Sequence, residues 1–572
     1  MIKELLQKNT IIKSSLILAL LLIVFVLSNI LITSLSFVFG HSVGYWQPVT
    51  AIFITVALTI FLLRREGYKK VLLALAVLAV LISSSLLITS VTSDDTVDGT
   101  AYHEPAVGAM RYGWNPVYQS VGEFNDSGKS PITLSDRSYE KWVDHYPKGH
   151  WIYGANLYKL TGNMEMGRSM VILIVYALFL LALSYFSTRF KTRIAVLIAA
   201  LIALNPISAA QLFSYYNDGM MANLLFMLIL LFTMAIDKKY VYGSIIRYVL
   251  LASALALIIN TKFTGFVYAG IYSATYFAFI VLNKSTRKTW WRYAITGFAG
   301  LAVGVFIIGL SVYPKNFVQH GNPFYPLIGS HDTADIITSN QPASFVHTGT
   351  LKKLFISNFS ETANISEASG KEPVLKPPFT INLSELPFLG YADPRIAGYG
   401  VWFSGILVIS VLYLIYVAIR TVVKDQWRHF WLIALPLVPT VFLLIGMSDA
   451  WWARYFPQMY LFPMIALIIL ITTKQKILTQ ILVFTILFNL TLLLSVQVRA
   501  QYDGVVYKDS ELHLIDKLTE NGKYTPKVFV NGYGGYAYRY YDRYGKIEML
   551  PGTIEGKEAD SVTLSKYIVV YK

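Results

Sequence analysis

The chain alternates long apolar runs with short polar breaks. Runs approaching the 20 or so residues that cross a bilayer stand near 14–37, 46–63, 71–92, 169–186, 194–210, 219–236, 245–259, 263–282, 294–313, 401–419, 431–447, 456–472 and 477–497. This pattern predicts an all-α polytopic membrane bundle of about 13 transmembrane helices. Pro206 interrupts one run, and "NTK" at 260–262 separates two others. The first run exceeds the apolar core of a signal peptide, about 7–15 residues, and no small-residue cleavage site follows it, so it reads as a retained anchor.

The breaks predict the orientation. With the N-terminus inside, the inside breaks are "RREGYKK" (64–70), "STRFKTR" (187–193), "DKKY" (237–240), "NKSTRKTWWR" (283–292), "RTVVKDQWRH" (420–429) and "TKQK" (473–476), each rich in Lys or Arg. Breaks on the other side, such as "HSVGYWQP" and "SDAWWARYFP", are poor in them. Cytoplasmic loops of membrane proteins carry an excess of Lys and Arg. The expected topology in a cell membrane is therefore N-terminus inside and C-terminus outside, with loops 93–168 and 314–400 and the tail 499–572 exposed to the exterior. In the tail, "DSELHLIDKLTEN" (509–521) has a helical apolar stripe, and "KVFVNG" and "KYIVVYK" read as strands. A transmembrane bundle over 1–498 followed by a small extracytoplasmic α/β domain over 499–572 is expected. "YGGYAYRYYDRYG" (533–545) reads as a Tyr-rich segment packing on the bundle, with sugar stacking as the alternative.

Composition agrees with the bundle. The chain is 55% hydrophobic and 14% charged, against about 25% charged in soluble domains. Its net charge of +15, from 48 basic and 33 acidic residues, sits in the short breaks and speaks for orientation rather than for nucleic acid. The absence of cysteine excludes disulfides, thiolate metal sites and a cysteine nucleophile. No Walker loop, dinucleotide fingerprint or HExxH is present, which argues against ATP-driven transport by this chain.

The polar residues that carry chemistry gather at the outer edge. "SDDTVDGTAYHEP" (93–105) follows the third apolar run at once and presents Asp94, Asp95, Asp98, His103 and Glu104. Partly desolvated carboxylates serve as general bases, and several together hold Mg²⁺ or Mn²⁺ through oxygen. A solvated turn with capping aspartates is the plainer alternative. The return of the same loop, "VDHYPKGHWIYGANLYKLTGN" (143–163), gathers Asp144, His145, Lys148 and His150. Lys148 is either a phosphate partner or a snorkelling lysine. "RYGWNPVY" (111–118) between them reads as an amphipathic interfacial stretch. At other outer edges stand Asn217 and Asp218, where a helix cap suffices as explanation, then Lys262, Asp393 with Arg395, and Asp449 with Arg454. Arginine matches phosphate geometry in a bidentate way, so several cations on one face suit the phosphate of a lipid-linked donor.

The acidic segment "SDDTVDGTAYHEP" after a span, the return "DHYPKGHWIYG" with its YPP-like turn, and many spans ahead of a folded outer tail together resemble the GT-C superfamily of integral-membrane glycosyltransferases. That resemblance implies transfer of a sugar from a polyprenyl-phosphate-linked donor to an extracytoplasmic cell-envelope acceptor (a glycan, teichoic acid, lipid or protein), with inversion. It implies an acidic base in the first large outer loop, matched here by Asp98 ahead of Asp94 and Asp95, with Asp144 as the rival from the second motif. Lys148, Arg395 and Arg454 are the donor-phosphate candidates. His103 and Glu104 are neighbours or ligands of an optional Mg²⁺ or Mn²⁺. A polysaccharide polymerase or O-antigen-type ligase would instead use arginine and histidine of the second loop, namely Arg395, His320, His331 and His347. A flippase or transporter of lipid-linked sugar needs ionisable groups at mid-bilayer, and the apolar runs hold almost none. A sensor or scaffold leaves the acidic loop idle.

Overall fold

The computed structural model describes residues 2–132, 139–327, 340–423, 427–521, 523, 525, 527–530, 535–549, 561–565 and 568–571. Among them, nine helices are long and apolar enough to cross a membrane: Lys8–Val38, Trp46–Glu66, Tyr68–Ser90, Met164–Ser187, Asp218–Ile236, Phe263–Leu282, Arg287–Ile308, Phe403–Thr421 and Lys476–Leu518. The remaining apolar runs form shorter helices, Thr192–Ala203, Ser244–Ile259, Ile433–Gly446 and Pro457–Thr472. The chain is a helical membrane protein.

Proline and asparagine set the short helices. After Ala203 the chain breaks, Asn205 caps a new turn by accepting from the Ser208 amide at 3.1 Å, and Pro206 occupies its first position. Proline lacks the amide that a helix start leaves unbonded anyway. The Asn205 side chain also donates to Asn223 Oδ1 at 2.7 Å, so the broken end is tied to the Asp218–Ile236 helix. Asn260 ends the Ser244–Ile259 helix in a similar way, donating to the carbonyls of Ala256 and Gly304 at 2.9 and 2.7 Å.

Helices Met164–Ser187 and Asp218–Ile236 are central, whereas Tyr68–Ser90 and Arg287–Ile308 are peripheral and leave Leu72, Leu73, Val80, Phe298 and Phe306 uncovered. Apolar faces this extensive are rare on soluble proteins and suit contact with lipid.

The loop at 93–168 is more deeply buried than its sequence suggests. Helix Glu104–Arg111 buries every residue but Arg111. Helix Gly149–Thr161 packs into the bundle, where Asn156 donates to the Asn29 carbonyl at 3.0 Å and to Thr33 Oγ1 at 2.8 Å. Trp114 of the expected interfacial stretch is fully buried, its indole N–H donating to the Gln119 carbonyl at 3.0 Å. A 13-residue helix is too short to announce itself as part of a membrane core, and its burial comes from tertiary packing.

The segment that begins at Asn340 is held by bridges Ser360↔Leu375 and Ala363↔Ile396 and by the buried Lys376–Glu385 ion pair at 2.6 Å. It builds a small core of Phe345, Ile365 and Ile396 against Trp451 and Trp452. Helix Lys476–Leu518 runs unbroken for 43 residues, about 65 Å at 1.5 Å per residue and roughly twice the hydrocarbon thickness. The expected boundary at 498/499 therefore falls inside one helix. Beyond it, strands β1 (Lys527–Val530), β2 (Glu548–Met549), β3 (Ser561–Ser565) and β4 (Ile568–Tyr571) pair in the order β2-β1-β4-β3, with β1 and β2 parallel and the other pairs antiparallel. Helix Gly535–Tyr544 docks on the first loop. Tyr538 stacks on Tyr112 at 5.9 Å, and Tyr158 donates to the Asp542 carboxylate at 2.6 and 2.7 Å. The Tyr-rich segment thus packs on the bundle.

Candidate functional site

The residues of "SDDTVDGTAYHEP" separate into two clusters. Asp98 begins the turn that widens into a π-helix over Gly99–His103; such bulges recur at functional sites. The turn lays Tyr102 back on Asp98, its hydroxyl donating to Oδ2 at 3.2 Å. Arg454 Nη1 donates to the same oxygen at 3.0 Å. Both interactions fall on Oδ2, and among the described residues no donor reaches Oδ1.

Arg454 organises the first cluster. It sits in a 3-10 turn, Ala453–Tyr455, and is joined by carboxylates from three other segments. Its Nη1 lies 3.9 Å from Asp218 Oδ2, and its Nε lies 3.3 Å from Asp393 Oδ2 but has no aligned acceptor. The guanidinium spreads over the Trp452, Tyr455 and Tyr216 rings at 4.5, 5.1 and 5.3 Å, a cation–π arrangement favoured for arginine. Asp218, at the first turn of its helix, forms an ion pair with Lys262 and accepts from Gln211 Nε2 at 3.2 Å. Lys262 also stands 4.1 Å above the Tyr455 ring. Asp393 accepts from the Trp452 indole N–H at 2.6 Å. Burial pushes its carboxyl up to about 7, with Arg454 opposing.

Exposure separates the three carboxylates. The Asp98 side chain is 24% exposed, against 12% for Asp393 and 1% for Asp218. Asp98 is the most open of the three, and its unused oxygen lies beside a buried arginine.

The second cluster gathers the other acidic residues around Arg539 of the tail. Arg539 pairs with Glu104 at 2.7 Å, Asp95 at 3.0 Å and Glu165 at 3.3 Å, and it also donates to the Asp94 carbonyl. Glu104 is fully buried, and burial raises its carboxyl to about 8 against the pull of Arg539. The Asp94 carboxylate is saturated: it accepts from the Thr96 amide at 3.0 Å, the Thr96 hydroxyl at 2.6 Å and the Tyr215 amide at 2.6 Å. Burial raises its pKa. A Cβ at Gly99 would overlap Asp94 Oδ2, so glycine is required for this approach. Asp94 therefore folds the loop, and Asp95 and Glu104 hold the tail.

His103 and Glu104, adjacent in sequence, point to different partners. Trp151 Nε1 donates to His103 Nδ1 at 2.7 Å, and His150 Nε2 lies 3.0 Å from the same nitrogen. An indole nitrogen can only donate, so His103 Nδ1 is the acceptor and His150 carries its proton on Nε2. Burial depresses both imidazoles well below the ordinary range, and the charges of Lys262 and Arg454 depress His103 further. Among the described residues no three His, Asp or Glu side chains converge to hold a metal ion, and His103 and Glu104 do not form a shared ligand pair.

The remaining candidates lie elsewhere. Asp144 accepts from the Val121 amide at 2.7 Å and lines a separate cavity with His145, Lys315 and His320. Lys148 is buried and donates to the carbonyls of Asp144 and Tyr146 at 2.7 and 2.9 Å; burial lowers its pKa to about 7. This amine is committed to the backbone, which disfavours a phosphate role. Arg395 lies 5.7 Å from the Trp452 ring that Arg454 also approaches, and it donates to Asn340 at 2.7 Å. Of the ligase-type residues, His320 stacks on Tyr325 at 3.7 Å, His347 is exposed, and His331 lies outside the described residues.

Sequence reasoning noted Asp218, Lys262 and Asp393 as isolated edge residues but did not join them to Asp98. Their common position at one end of successive apolar runs is the signal that groups them. Comparison with protein-family models, curated proteins and solved structures finds no match for this chain, so the reading of the site rests on its own geometry.

Proposed function

We propose that this chain is a membrane glycosyltransferase. It transfers a sugar from a polyprenyl-phosphate-linked donor to an acceptor of the cell envelope, with inversion and with Asp98 as the base. The chain crosses the membrane about 13 times, with a cytoplasmic N-terminus and an extracytoplasmic α/β tail on the same side as the site. The observation that carries it is the pairing of Asp98 with Arg454 within a ring of aromatic side chains.

The chemistry follows from that pairing. Asp98 Oδ1 takes the proton of the acceptor hydroxyl. The acceptor oxygen forms a bond to the anomeric carbon as the bond from that carbon to the lipid phosphate breaks, and the phosphate leaves with the electron pair. Arg454, whose Nε has no aligned acceptor, receives the developing charge. With all three carboxylates ionised, Asp98, Asp218 and Asp393 outnumber Arg454 and Lys262 by one charge. A phosphate is therefore best accommodated when Asp393, with its pKa near 7, takes up a proton. Of the three rings around Arg454, only that of Tyr455 is partly exposed, and it supplies the face on which a sugar packs.

The test is purified protein in detergent or vesicles with a panel of polyprenyl-phosphate sugars, assayed for release of the lipid phosphate. Release with at least one donor that depends on an acceptor supports the reading. Intact donor across the panel, with protein shown to be folded, counts against it.

A further inference from the structure

A mostly apolar cavity in the bundle lies away from this site. It has a volume of about 700 Å³, within the usual range for small-molecule pockets of about 300–1,000 Å³. Its walls include Phe226, Ile433, Met464 and Ile468 of the helices Asp218–Ile236, Ile433–Gly446 and Pro457–Thr472, together with Phe186 of Met164–Ser187 and Val417 of Phe403–Thr421. Phe226 is eight residues beyond Asp218 on one helix, about 12 Å along its axis. The cavity extends from there toward the short-loop end of the bundle.

That end is rimmed by cations. Arg189, Lys239 and Arg420 line the cavity, and no Asp or Glu side chain does. Arg189 is neutralised by its ion pair with Asp237. Lys239 and Arg420 are exposed, and among the described residues neither pairs with a carboxylate; Arg420 donates only to the Tyr416 hydroxyl at 3.3 Å. Thr473 and Gln475 add uncharged hydrogen-bonding groups at the rim. An apolar slot inside a membrane bundle, open toward two cations that pair with no carboxylate among the described residues, matches a molecule with a hydrocarbon chain and an anionic head.

We propose that this cavity binds an anionic glycerophospholipid from the leaflet at the short-loop end. One acyl chain enters the slot among these helices, and the phosphate lies between Lys239 and Arg420. Basic side chains near a membrane surface attract anionic lipid by about 1 kcal/mol each, which corresponds to about five-fold in affinity. The site lies at the opposite end of the bundle from Arg454 and stands whether or not the protein transfers sugar.

The experiment is native mass spectrometry of the full-length protein released from detergent, titrated with phosphatidylglycerol, phosphatidylcholine or undecaprenyl phosphate. Phosphatidylglycerol is expected to be retained in preference to phosphatidylcholine. Lys239→Gln and Arg420→Gln, both on exposed side chains, are each expected to weaken that retention about five-fold while leaving thermal unfolding unchanged. Equal retention of the two phospholipids, or retention unaffected by either substitution, overturns the proposal. Displacement of phosphatidylglycerol by an equal concentration of undecaprenyl phosphate assigns the cavity to the isoprenoid and equally overturns it.

Discussion

Arg454 and Arg539 each stand among three carboxylates, yet the two clusters differ in what they leave open. Around Arg539, the carboxylates of Glu104 and Glu165 are buried and the arginine arrives from the tail, so the cluster joins two parts of the chain. Around Arg454, one carboxylate keeps a free oxygen at a partly open position, and aromatic rings replace further chain on the remaining side. Asp94, Asp95 and Asp98 are near neighbours in sequence and serve three ends. Asp94 bonds the backbone, Asp95 meets the tail, and Asp98 turns to the other arginine because the helix starts between them. An acidic run in sequence therefore marks a neighbourhood, and the fold decides which member has room to react.

The largest effects are expected at the two arginines. Arg454→Ala leaves Asp98, Asp218 and Asp393 without their shared cation. Removing one partner from a buried ionic cluster costs about 3–5 kcal/mol, and the upper end is expected here, with turnover lost; thermal unfolding and the lipid-phosphate assay measure the two effects. Arg539→Ala is expected at the lower end of that range, about 3 kcal/mol, because Glu165 keeps its 2.8 Å contact with Arg168 and Asp95 is 42% exposed. Its folded fraction keeps turnover, and proteolysis of the tail quickens. If both substitutions abolish turnover in folded protein, the division of labour between the clusters is wrong.

A smaller effect follows from Asp393. Burial raises its carboxyl to about 7, so it binds a proton as the pH falls through 7 and releases Arg454 from one competitor. Donor affinity is expected to rise by up to about tenfold between about pH 8 and pH 6 by proton linkage, and Asp393→Asn should flatten that dependence in a donor-KM profile. The smallest effect is expected at Asp95, whose partly exposed pair with Arg539 is worth about 0–1 kcal/mol. Asp95→Asn should shift the unfolding midpoint slightly and leave turnover unchanged.

Much of the bundle was legible because apolar length is a direct physical requirement of a membrane. The runs at 14–37, 71–92 and 219–236 correspond to helices Lys8–Val38, Tyr68–Ser90 and Asp218–Ile236. The buried helix Gly149–Thr161 was not legible, since Lys148, His150 and Asn156 give it the look of an interfacial loop and its partners Asn29 and Thr33 lie more than a hundred residues away. The site divides similarly. The acidic segment and Arg454 stand out locally, but their meeting spans 356 residues, and no periodicity encodes it. The burial of Lys148 and its two backbone carbonyl partners were likewise not legible, because they depend on how the loop folds back on itself.

One carboxylate, that of Asp98, carries the proposed chemistry. Turnover of Asp94→Asn, Asp98→Asn and Asp144→Asn, each compared with wild type as folded protein in the lipid-phosphate release assay, tests it most directly. Loss of a general base costs about 10²–10⁴-fold, and that loss is predicted for Asp98→Asn alone, with the other two affecting stability more than rate. Full turnover by Asp98→Asn, or a loss of that size confined to Asp94→Asn or Asp144→Asn, would contradict it.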